Sequence, residues 1–118
     1  MKLKTLSIHE QGDAKKEYVL LEVAEDCDLD YYGIADTTYT SDSKISNKLR
    51  HFYWFPSTLV KKGERVVLRT GTGKNDQYTT DSGKKVHRFF WGLGSSIWND
   101  AGDAAVLFEI NTWTTTRA

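Results

Sequence analysis

Glu17-Tyr18-Val19-Leu20-Leu21-Glu22-Val23 is the stretch that decides the fold. In an extended chain Val19, Leu21 and Val23 fall on one side and Tyr18, Leu20 and Glu22 on the other, the period of two that belongs to a strand. The first set is the cleaner core face, so Leu20 and Tyr18 need partial cover on the second. Arg65-Val66-Val67-Leu68-Arg69 reads the same way in shorter form, an apolar triplet pinned between charges after a Lys61-Lys62-Gly63 turn.

Outward from these two segments, apolar residues arrive in short bursts, many of them β-branched or aromatic, separated by Gly, Asp, Ser, Asn and Thr. No long amphipathic helix fits that pattern. Strands are predicted near Lys4 to His9, Glu17 to Ala24, Tyr31 to Tyr39, Leu49 to Phe55, Glu64 to Thr70, Val86 to Trp91 and Ala104 to Ile110. Breaks at Gln11-Gly12-Asp13, Ser41-Asp42-Ser43, Pro56-Ser57, Gly71-Thr72-Gly73, Asp81-Ser82-Gly83 and Ala101-Gly102-Asp103 suit short antiparallel strands. The stretch from Gly71 to Lys85 exceeds an ordinary loop and reads either as a flexible excursion or as a hairpin built on Tyr78 to Thr80. The expected fold is all-β, a sandwich of about seven to nine short, mainly antiparallel strands.

The chain of 118 residues reads as one domain over residues 1–118, since two halves would each be too small to bury an adequate core. No apolar run approaches the roughly 20 residues of a spanning helix, and Met1 to Ile8 lack the pattern of a signal peptide. No membrane span is expected. Cys27 is the single cysteine, which rules out an internal disulfide and points to a reducing, cytoplasmic setting. The net charge of zero hides segregation: residues 25–42 hold six acids and no Lys or Arg, whereas residues 43–92 hold eleven Lys and Arg against three acids. That permits a basic face on a neutral protein.

Four stretches together resemble the lamin-tail domain family, over roughly residues 17–110. They are Glu17 to Val23; Leu29-Asp30-Tyr31-Tyr32-Gly33-Ile34-Ala35-Asp36; Phe55-Pro56 with Leu59 and Lys62 to Leu68; and Trp91-Gly92 leading to Trp98-Asn99-Asp100-Ala101-Gly102-Asp103-Ala104-Ala105-Val106-Leu107. Leu20, Val23, Tyr32 and Lys62 stand where the family usually has Glu, Asn, Trp and Pro. The resemblance implies an immunoglobulin-like fold, a stand-alone member of the bacterial type, and use as a contact or accessory module with no catalytic residues. The structural anchors it implies are Glu17, Pro56, Gly63, Trp91, Trp98, Asn99, Gly102 and Asp103. In the Trp98 segment the indole can hold a loop on the sheet, Gly102 can take positive φ and Asp103 can accept backbone N–H bonds. Pro56 suits a strand end.

Motifs that carry chemistry are incomplete. Gly71-Thr72-Gly73-Lys74-Asn75 lacks the first glycine, the Ser or Thr and the following helix of a phosphate loop. Asp26-Cys27-Asp28-Leu29-Asp30 alternates carboxylates as a calcium loop does, but Tyr31 and Thr37 stand where that loop needs Gly and Glu. His9, His51 and His87 have no metal-ligand spacing, and nothing around Cys27 marks an activated nucleophile. No cofactor, no metal and no enzyme activity are expected, a small hydrolase being the weakest reading. Lys61, Lys62, Arg65, Arg69, Lys74, Lys84, Lys85 and Arg88, with Tyr78, Phe89 and Phe90, suit nucleic acid as a partner, but the zero net charge favours a solvated sheet face. His51-Phe52-Tyr53-Trp54-Phe55 and Phe89-Phe90-Trp91 hold more aromatic surface than one face can bury, so alternation sends half outward. The leading expectation is a non-catalytic interaction or scaffold module whose partner is a protein.

Overall fold

The computed structural model describes residues 1–41, 44–99 and 102–118. Asp42, Ser43, Asp100 and Ala101, and with them parts of two expected turns, lie outside the described residues.

Alternation builds the first sheet. Residues Tyr18–Val23 form β2, with Val19, Leu21 and Val23 fully buried and Tyr18, Leu20 and Glu22 half-buried on the other face. The preceding strand β1, Leu3–His9, pairs with it antiparallel. Its register shifts between Thr5 and Ser7, leaving Leu6 as a bulge, and this lets both Leu3 and Ile8 face the core from positions of opposite parity.

The second sheet is organised on a long strand. After β3 (Cys27–Asp28) and a 3-10 turn (Leu29–Tyr31), β4 runs over Tyr32–Ser41, followed by β5 (Lys44–Ile45), β6 (His51–Trp54) and β7 (Leu59–Val60). The remaining strands are β8 (Arg65–Arg69), β9 (Asp76–Thr79), β10 (Lys85–Phe90) and β11 (Asp103–Glu109). One sheet has the order β1-β2-β8-β10-β9. The other has β11 on one side of β4 and β6 and β5 on the other, with β3-β7 as a two-stranded piece. Side chains from both sheets, among them Val19, Leu21, Leu68, Phe89, Tyr32 and Ile34, meet in one buried cluster that Phe55 and Trp98 close. The fold is an all-β sandwich. Each fully buried Val, Leu or Phe contributes about 1.5–3 kcal/mol, which makes the shared core the main source of stability.

Every predicted strand is present within a few residues, and the described residues add β3, β5, β7 and β9, making eleven. The first three are two residues long, too short for a period to show. The segment from Gly71 to Lys85 resolves as the hairpin reading, because β9 pairs antiparallel with β10. One pair departs from the antiparallel rule: β8 and β10 run parallel. The cause is the route of the chain, which leaves β8, passes over the end of β10, descends as β9 on the far edge and returns as β10 in between. Gly73 makes that crossing possible, since a Cβ there would lie 2.5 Å from the Phe90 ring.

Gly63 turns the chain into β8 at φ +90°, with its N–H donating to the Val23 carbonyl at 2.8 Å. Gly63→Ala is expected to lower the urea-unfolding free energy by about 1–2 kcal/mol, the strain of a left-handed L-residue. An unchanged midpoint would show that the turn relaxes without cost.

Candidate functional site

The outer face of the five-stranded sheet collects the basic and aromatic residues. His9, Tyr18, Arg69 and Phe90 are successive cross-strand partners on β1, β2, β8 and β10, so the ladder sets them in one transverse row. His9 stacks on Tyr18 at 4.9 Å and 16°, and the Arg69 guanidinium carbon lies 5.5 Å from the Tyr18 ring centre. In the next rows Arg88 lies 5.4 Å from the Phe90 ring and 5.5 Å from the Tyr78 ring, while Asp76 accepts from it at 2.6 and 2.9 Å. Glu22 forms ion pairs with Arg65 at 3.0 Å and with Lys4 at 3.6 Å. The arginines beside Asp76 and Glu22 hold both carboxyls below their ordinary range, partly offset by desolvation. Between these rows runs a groove of about 310 Å³ lined by Tyr18, Leu20, Arg65, Arg69, Tyr78 and Lys84.

Only part of the basic set found in the sequence shares this face. Arg65, Arg69, Lys84 and Arg88 do, with Tyr78 and Phe90. Lys85 falls on the opposite side of β10, in step with the buried His87, and Phe89 is a core residue. Lys61 and Lys62 sit on the turn before β8 and Lys74 in the loop before β9, so they flank the two ends of the face. Tyr18 and His9 escape sequence reasoning because they lie far from the basic segment, and strand pairing alone brings them to Arg69.

The other sheet turns an apolar face outward. Tyr53 and Phe55 point into the core while Phe52 and Trp54 stand out, 45% and 43% exposed, as alternation requires. Phe52 lies over Gly33, whose absent Cβ would come within 2.2 Å of its ring, and meets Phe108 at 5.9 Å. Trp113 packs edge-on against Trp54 at 5.0 Å and Tyr31 at 5.9 Å, and the Trp54 indole N–H donates to the Asp30 carbonyl at 2.7 Å. Among the described residues β6 pairs with β4 alone, which leaves this face beside an open edge.

The remaining candidate residues are engaged in holding the fold. Asp28 caps the 3-10 turn through Asp30 N–H and takes hydrogen bonds from Ser57 and from Thr58 N–H at 2.9 Å, and Asp26 accepts from Lys62 N–H at 2.8 Å. The alternating carboxylates thus tie down the Pro56 to Gly63 segment. His51 bonds Asp36 at 3.0 Å and His87 bonds Glu64 at 2.8 Å. Desolvation opposes the Glu64 charge, but the bond from His87 prevails and keeps its pKa below the usual value. A cavity of about 270 Å³ holds Cys27 with Lys2, Tyr32 and Glu109. There burial pushes the thiol pKa up, the reverse of an activated nucleophile.

The residues singled out by the resemblance divide. Glu17 is fully buried and accepts from Gly12 N–H, Ser96 Oγ, Thr70 Oγ, Ile97 N–H and Trp98 N–H, at 2.6 to 3.4 Å. Burial works against its charge, yet the hydrogen bonds win and hold the carboxyl below the ordinary range. Trp98 is buried, and Trp91 is half-buried against Tyr53, His51 and Trp98. Pro56 stands one residue beyond the end of β6, after Phe55, Gly63 makes its turn, and the Gly102 carbonyl accepts from Tyr39 N–H at 2.9 Å. Asp103 opens β11 and lies 3.8 Å from Arg50, while Asn99 is exposed. No helix among the described residues is long and apolar enough to cross a membrane. No protein-family model matches the chain, and no curated protein matches it.

Proposed function

We propose that this chain is an immunoglobulin-like sandwich of the lamin-tail type and serves as a non-catalytic interaction module, docking a protein on its aromatic sheet face. The observation that carries the reading is the exposure of Phe52, Trp54 and Trp113 side by side at an open strand edge. Tryptophan and other large aromatics dominate binding energy where a partner seals them from water. An edge strand supplies unpaired backbone groups for an extended segment to join. The partner of fitting chemistry is an apolar peptide segment lying along β6, its side chains over Phe52 and Trp54. The buried positions of Phe55 and Trp98, the Gly63 turn and the seating of Glu17 support the family reading.

A photo-crosslinking residue at position 52, in the whole protein in its own cell, tests it. The expected result is one discrete heteromeric adduct, absent when the crosslinker sits at Lys15. In purified form Trp54→Ser, still folded at the temperature of the assay, is expected to weaken the complex with the partner so identified by about 2 kcal/mol, near thirtyfold. Adducts no different from those at position 15, or adducts between two copies of the chain, would sink the proposal.

A further inference from the structure

We infer that the outer face of the five-stranded sheet, a surface separate from the aromatic face of the other sheet, is a binding site for single-stranded nucleic acid. The face offers both chemistries that such a strand needs: rings for bases and unneutralised cations for phosphates. Arg65 and Arg88 are matched by Glu22 and Asp76, which fix them in place. Arg69 and Lys84 have no carboxylate within ion-pair distance among the described residues, the nearest influence on Arg69 being the longer-range charge of Asp76. Arg69 rests on Tyr18 with its Nε making no hydrogen bond, and Lys84 Nζ reaches only the Gly63 carbonyl, at 3.1 Å.

These two cations mark opposite ends of the groove. Arg65 to Arg69 spans about 13 Å at the ~3.3 Å rise of a strand, so the positive charges form a short track rather than a single point. Between them Tyr78 stands 44% exposed on the edge strand, its ring supported by Arg88. Lys74 follows Gly73, which lies against Phe90 at the Arg69 end, and Lys62 precedes Gly63, whose carbonyl Lys84 reaches. An acidic peptide would satisfy the cations but leave the ring without a planar partner. A duplex would satisfy the phosphate contacts but keep its bases stacked inside, away from Tyr78. The combination of an exposed ring and spaced cations therefore favours unpaired bases on a phosphate backbone.

The test is fluorescence anisotropy of the whole protein with a labelled oligothymidylate of about 12 nucleotides, within the span a β-platform covers, at salt from about 20 to 200 mM. Binding is expected to weaken with salt at a log–log slope of about −2, as for about three phosphates on a single strand. The Arg69→Ala and Tyr78→Ala variants are each expected to bind about tenfold more weakly. Lys84→Ala, an exposed change that spares the fold, is expected to reduce the slope by about 0.7. Lys48→Ala, beside the other sheet, is expected to bind as the parent does. Absence of binding at the lowest salt would overturn the inference. So would equal affinity for a duplex of the same length, equal competition by an oligoglutamate peptide, or parental binding by both Tyr78→Ala and Lys84→Ala.

Discussion

Glu17→Gln is expected to unfold at a clearly lower urea midpoint than the parent, with a loss of about 3 kcal/mol. Both carboxylate oxygens accept at least one backbone N–H: Gly12 on Oε1, and Ile97 with Trp98 on Oε2. An amide therefore sets its NH₂ against a backbone donor in either orientation, and the Glu17 side chain is fully buried. The pH dependence supplies a second signature. The folded pKa lies below the unfolded one, so the contribution is complete above the unfolded carboxyl value of about 4.3 and is lost as pH falls through the folded value. Glu17→Gln is expected to flatten the parent's loss of stability in acid over that window. A variant with the parent's midpoint at neutral pH and the parent's slope in acid would show that Glu17 carries no such role.

Trp98→Ala is expected to cost about 3–5 kcal/mol in the same measurement, the range for emptying a buried aromatic site. Trp98 is buried between the sheets and meets Trp91 at 6.4 Å, while its backbone N–H donates to Glu17. The two substitutions act on one structure, the segment from Ser96 to Trp98 pinned onto the start of β2. Their double variant is therefore expected to lose less than the two single losses added together, by about 0.5–3 kcal/mol. Strict additivity would mean that the pin and the indole stabilise the fold independently.

The strands visible in the sequence are those long enough to display a period and closed at both ends by turn chemistry. Tyr18 to Val23 and Arg65 to Arg69 announce themselves, and so does the inward and outward split of Phe52 to Phe55. Cys27–Asp28 and Leu59–Val60 do not, because a two-residue strand exists only through its partner, more than thirty residues away. The parallel pairing of β8 with β10 was equally invisible, since alternation tells which face a side chain takes and nothing about which strand lies next to it. The same limit governs the outer face. Arg69, Lys84 and Arg88 were legible as a basic cluster, but Lys85 needed its parity on β10, and His9 and Tyr18 needed the hairpin register of β1 with β2. Asp28 and Glu17, whose negative charge suggests solvent, are tied to backbone groups that come from distant loops.

The pairing of β4 with β11, from Tyr32 with Glu109 to Thr38 with Asp103, has a consequence for a chain emerging from the ribosome. The middle strand of the second sheet is synthesised some seventy residues before the strand that flanks it. Until β11 is free, Ile34 and Tyr32 belong to a half-built sheet with one side open, and that open side is the kind that recruits stray strands. Ser41, Gly33 and the charge-bearing Asp36 on β4 are poor templates for such pairing, so the strand that waits longest is also one of the least apolar. Birth order and composition here pull in the same direction: the edge exposed during synthesis is kept from becoming an aggregation seed until its rightful neighbour arrives.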